Sequence, residues 1–136
     1  MRPLVLDTNV ALDLLVFADD AALALDEGFR SGQLQWLATS AMRDELARVL
    51  GYPQIAARMA FHSLTHESVI ARFDSHANIV EAPAKAPVTC SDPDDQKFID
   101  LAVERRCLLL SKDAAVLTMA RRLAPLGCEV RAALTG

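Results

Sequence analysis

Leu4-Val5-Leu6-Asp7-Thr8-Asn9 is a short apolar run that ends in a carboxylate followed by two small polar residues. An apolar run of this kind near the N-terminus predicts a strand covered on both faces, and the acid after it falls at the strand's carboxyl end. In open α/β sheets, ligands bind at that edge. Asn9 opens an apolar helical stretch from Val10 to Ala18, so Asp7 is expected in a tight strand-to-helix turn with almost no loop to move in. What such a site can do depends on which other acids reach it.

Working outward, a second helix is expected over Ala21 to Phe29, stopping near Gly28 to Gly32 and leaving Asp26 and Glu27 exposed. Leu34 to Ala38 reads as the second strand. Thr39 or Ser40 is then a good N-cap for a helix from Ala41 to Leu50, closed by Gly51 and the turn at Tyr52-Pro53. Met42, Leu46, Val49 and Leu50 form its apolar stripe. Glu45, three residues from Met42 and four from Val49, lies on that same face, whereas Asp44 and Arg48 lie toward solvent. A carboxylate on a buried face costs several kcal/mol unless it is paired or coordinates a cation. Glu45 therefore needs a partner: either an arginine at the rim of the stripe, or a shared cation site.

Gln54 to Ala77 reads as two helical pieces carrying all three histidines. His62 and His66 have i,i+4 spacing, but Ser63 stands where an H-E-x-x-H site needs glutamate, so these are read as surface residues. Asn78 to Glu81 is a short third strand, and Pro83 to Pro87 an extended linker. Ser91-Asp92-Pro93-Asp94-Asp95 then opens a helix running to Arg106. Asp92 suits the N-cap, Pro93 the first turn, and all three acids favour the positive end of the macrodipole. Capping accounts for Asp92 and Asp94. Asp95 differs, because Phe98, Ile99, Ala102 and Val103 continue an inward stripe from it, which turns its carboxylate toward the sheet edge. Cys107 to Leu110 is the next buried strand, and Ser111-Lys112-Asp113 repeats the opening theme of an apolar run ending in a small polar residue and an acid. Asp113 has an alternative reading as a plain cap for a helix over Ala114 to Leu123. Cys128 to Ala132 gives a last, edge strand.

The 136 residues, 52% hydrophobic, read as one domain spanning 1–136, large enough to bury roughly two-thirds of its unfolded surface. A net charge of -4 argues against a broadly basic nucleic-acid clamp. Cys90, Cys107 and Cys128 are widely spaced and show no C-x-x-C pattern, which points to a reduced, cytoplasmic setting rather than disulfides or zinc. Asp13, Asp19 and Asp20 interrupt the early apolar run, so neither a signal peptide nor a spanning helix is expected.

The alternation of strands and helices implies a mainly parallel five-stranded sheet between helical layers, a three-layer α/β/α, Rossmann-like arrangement. Asp7, Asp95 and Asp113 would share its carboxyl edge, with Glu45 in reach. Carboxylates that close repel by roughly 4 kcal/mol per pair at an effective dielectric of 20, so protons or metal ions must intervene. Hard oxygen donors without histidine or cysteine suit Mg²⁺ or Mn²⁺, and the chemistry such a site performs best is phosphodiester hydrolysis. Two divalent ions would also offset the formal -4.

The chain resembles the PIN-domain nucleases, and among them the VapC-type toxins of toxin-antitoxin pairs. The likeness covers nearly the whole chain and rests on four motifs in order. These are Val5-Leu6-Asp7-Thr8-Asn9-Val10, Glu45 within Ser40 to Leu50, Asp92-Pro93-Asp94-Asp95-Gln96-Lys97-Phe98, and Leu110-Ser111-Lys112-Asp113. It implies a PIN-like fold, divalent-metal-dependent cleavage of RNA, homodimers, and an antitoxin partner. Asp7, Glu45, Asp95 and Asp113 match the family's acidic quartet, as catalytic residues and metal ligands. Asn9 and Ser111 match small polar positions that orient ligands and water. Lys97 and Lys112 flank the quartet and are candidates for contacting substrate phosphate, with plain surface lysines as the alternative. Asp13 falls where many relatives carry a neutral residue, and Asp92 and Asp94 leave the choice of ligand within their cluster open by one turn.

Two rival classes share the strand-end aspartate. A haloacid-dehalogenase-like phosphatase would use Asp7 as nucleophile, but that family wants an acid where Asn9 stands. A receiver-like domain would phosphorylate Asp7 and pair it with a lysine such as Lys112. A third reading is a PIN-like binding module without catalysis.

Overall fold

The computed structural model describes residues 1–134. Five parallel strands, β1 (Arg2–Leu6), β2 (Leu34–Ala38), β3 (Ala77–Ile79), β4 (Leu108–Leu110) and β5 (Glu129–Arg131), lie in the order β3-β2-β1-β4-β5. The helices α1 (Thr8–Leu15), α2 (Leu23–Ser31), α3 (Ser40–Val49), α4 (Pro53–Phe61), α5 (His66–His76), α6 (Gln96–Arg105), α7 (Ala114–Leu117) and α8 (Ala120–Leu123) flank the sheet. Leu4, Val5, Leu109 and Leu110 are all at 0% exposure, as expected for central strands covered on both faces. The chain builds outward from β1 through β2 to β3, then crosses back to place β4 on the other side of β1. The strand order therefore reverses between β1 and β4, and a crevice opens there at the carboxyl ends.

Aromatic packing fixes the β2 side of the core. Trp36 meets Phe73 edge to face at 4.9 Å and stacks on Phe29 at 5.6 Å. Gly28 lies inside α2 rather than ending it. A Cβ there would come within 2.3 Å of the Leu34 side chain, so its role is to let α2 approach β2. The stop is Gly32, at φ 78.

Several expectations need correction. Asp26 is half-buried, not exposed, because Arg72 and Arg30 converge on it. His76 is tucked beside the same carboxylate and tilted against Phe29. The helix read over Ala114 to Leu123 divides into α7 and α8 at Thr118, whose hydroxyl bonds back to the Ala115 carbonyl at 3.3 Å and competes with the helical ladder. Among the described residues, no helix is long and apolar enough to cross a membrane.

Candidate active site

Asp7 ends β1 and caps α1. Its Oδ1 accepts from the Val10 backbone N–H at 3.0 Å, which holds the carboxylate at 3% exposure. The buried Ser111 hydroxyl donates to Asp7 Oδ2 across the gap between β1 and β4, and accepts in turn from the Asp113 N–H at 3.1 Å. One serine thus couples the two strand ends. Burial pushes the Asp7 carboxyl above the usual carboxylate range. The Ser111 and Val10 hydrogen bonds oppose that rise, and the Asp113 charge adds to it.

Asp95 and Asp113 meet on the same rim. Asp113 caps α7 through Ala115 N–H at 2.9 Å and at the same time lies beside Asp92 and Asp95. Asp92 likewise caps the 3₁₀ turn that opens α6, accepting from Asp94 N–H at 3.0 Å. Yet Asp92, Asp95 and Asp113 each place a carboxylate oxygen within 4.8 Å of the others. Asp95 Oδ2 is buried and has no hydrogen-bond partner among the described residues. Its carboxyl is pushed up to about 7, first by burial, then by the close approach of the Asp113 carboxyl and the charges of Asp113, Asp92 and Asp7. Acidic groups gathered around an unpaired oxygen make a site suited to a cation.

Glu45 comes to the same cleft from α3 but in a different state. Thr8 donates to its Oε2, and the Lys97 ammonium lies 2.6 Å from its Oε1. The partner its burial requires is therefore a lysine and a hydroxyl rather than an arginine. Lys112 is paired with Asp13, away from the acid group. Asn9 is exposed and lines the cleft; the Asp94 side chain is exposed, and its carbonyl accepts from Lys97 at 2.6 Å. The cleft measures about 340 Å³ and is walled by Asp7, Glu45, Asp92 and Asp95 together with Tyr52 and Ile55. In the sequence Asp92 reads as a cap, with the choice of ligand within its cluster open by one turn, and Thr8 has no role of its own. Neither contact has a local signal, since Asp113, which Asp92 meets, and Glu45, which Thr8 meets, lie 21 and 37 positions further along the chain.

Together these features define an α/β protein with a carboxylate site at its topological switch point. The PIN domain family matches residues 3–115, and the chain belongs to that family. PIN domains are generally nucleases, and PIN nucleases typically use divalent metals. No curated protein matches the chain significantly. The residues present fit such a metal: all donors are hard carboxylate oxygens, and one of them is buried without a partner.

Proposed function

We propose that this protein is a Mg²⁺- or Mn²⁺-dependent endoribonuclease that hydrolyses RNA phosphodiester bonds. The observation that carries the reading is the unpartnered, buried Asp95 Oδ2 among Asp92, Asp113 and Asp7 at the switch point. Asp92, Asp95 and Asp113 would hold the cation, with Asp7 and Glu45 completing the acidic wall. When bound, a divalent metal activates water and stabilises charge on the attacked phosphate. The chain's own residues do the rest. Ser111 and the Val10 N–H fix the orientation of Asp7, so that its charge does not wander as substrate enters. Thr8 fixes Glu45. Tyr52, 44% exposed on the cleft wall, offers a face on which an unpaired base stacks.

Hydrolysis by activated water suits this geometry better than attack by Asp7 itself, since both Asp7 oxygens are engaged and the group is almost wholly buried. Labelled RNA incubated with the purified protein should be cut in Mn²⁺ and left intact with chelator. A phosphorylated Asp7 trapped after incubation with a phosphate donor would instead establish the phosphatase or receiver reading. As part of the same proposal, the chain is a cytoplasmic homodimer and the toxin of a toxin-antitoxin pair. Growth arrest on expression, relieved by the product of a small neighbouring gene, tests that portion.

A further inference from the structure

Two carboxylates facing one cleft are in opposite states. Asp95 keeps an oxygen with no partner, whereas both oxygens of Glu45 are taken, one by Thr8 and one by Lys97. Lys97 stands in the first turn of α6, two residues beyond Asp95, and its ammonium bridges Glu45 Oε1 and the Asp94 carbonyl, each at 2.6 Å. That places a positive charge against Glu45, on the flank of the acid group. Its side chain is 27% exposed. A lysine head is a compact, strongly hydrated charge on a flexible stem, so it can leave Glu45 without any movement of the backbone.

We infer that Lys97 is a displaceable counter-cation that reserves Glu45 in the metal-free protein. The inference rests on the metal-dependent reading above and deepens it. A divalent ion that engages Glu45 must first displace the ammonium, whereas an ion held by Asp92, Asp95 and Asp113 meets no such competitor. The displaced ammonium enters a cleft whose other charged walls are acids, where the phosphate of an incoming nucleic acid is its natural partner. Lys97 thus acts through Glu45 as a positioning residue before it meets substrate.

Calorimetric titration with Mn²⁺ of the wild type, Lys97→Met, Glu45→Gln and the double variant tests this as a cycle. Lys97→Met should tighten the Glu45-dependent binding event about tenfold. In the Glu45→Gln background, the same substitution should change nothing. Lys97→Gln, which keeps a donor but no charge, should behave as Lys97→Met does. Equal tightening in both backgrounds would mark a plain loss of positive charge and overturn the inference, as would no tightening at all. If Mn²⁺ binds in a manner sensitive to Asp95→Asn while the cycle shows no coupling, only this inference falls. If none of the four proteins takes up Mn²⁺, the metal-dependent reading falls with it.

Discussion

Asp26 and Asp95 are both half-buried aspartates on helical turns, and the protein treats them in opposite ways. Asp26 receives Arg30 at 2.9 Å and Arg72 at 3.1 Å, with His76 at 3.7 Å; Arg72 also donates to the Leu14 carbonyl at 3.1 Å and so ties α1, α2 and α5 together. Burial holds the His76 imidazole below its ordinary value against the pull of Asp26, so the arginines supply the positive charge. Asp95 is given only acids. A carboxylate that the fold needs is surrounded by cations, whereas Asp95 is left among its own kind, as the proposed metal site requires. The second arrangement costs stability, which is what the proposed metal site predicts for a site selected for function rather than for the fold.

The largest expected effect lies on the acid side. Asp7→Asn should lower RNA cleavage by on the order of 10³-fold, with an unchanged far-ultraviolet circular dichroism spectrum. Retained activity would remove Asp7 from the chemistry. The comparison itself is sharpened by a pair of stability measurements. Asp26→Asn strips a partner from two arginines and should cost about 2 kcal/mol, a fall of several degrees in Tm. Asp95→Asn relieves repulsion and should raise the Tm of the metal-free protein. Adding Mn²⁺ should stabilise the wild type and leave Asp95→Asn nearly unmoved. Shifts of the same sign for the two variants without metal would break the contrast.

The pH dependence follows with a defined sign. Because the folded Asp95 carboxyl titrates near 7 and its unfolded value is 3.8, the folded state holds its proton more tightly. Its contribution to stability is complete below the unfolded value and is lost as pH rises through about 7. The Tm advantage of Asp95→Asn over wild type should therefore be near zero at the acid end of that window, grow across it and level off above it. A difference that stays flat from one end to the other would show that Asp95 ionises freely.

Why this contrast was only half visible in the sequence has a physical cause. Local signals carried the fold: β2 runs from Leu34 to Ala38 as its apolar pattern predicts, Thr39 caps α3, and Gly32 ends α2. Strand-end acids could be placed on one rim because the parallel sheet puts every carboxyl terminus on the same edge. Pairings between distant residues carry no such periodicity. Asp26 looked like solvent-facing helix because Arg72, 46 positions on, is invisible to a local reading. Asp92 is explained locally as a cap, and only the structure shows that its carboxylate also lies within 4.8 Å of those of Asp95 and Asp113.

What holds Asp92 in place supplies the subtlest test of the comparison. The segment between β3 and α6 is laced to α6 by two side chains, Gln96 and Asp100: Gln96 accepts from the Cys90 N–H at 2.6 Å and donates to the Val88 carbonyl at 3.0 Å and to Asp100 at 2.8 Å. Asp100 in turn accepts from the Ala86 N–H at 2.9 Å. Asp92 lies two residues past Cys90, so the lacing anchors the chain leading into the 3₁₀ turn that joins it to Asp95. Gln96→Ala should cost about 1 kcal/mol through the unsatisfied groups it leaves and weaken Mn²⁺ binding roughly tenfold. Asp26→Asn should be at least as destabilising yet leave Mn²⁺ affinity where it was. If both variants lose affinity in proportion to stability, metal binding merely reports global looseness. If Gln96→Ala alone does, the segment is a positioning device for the acid cluster.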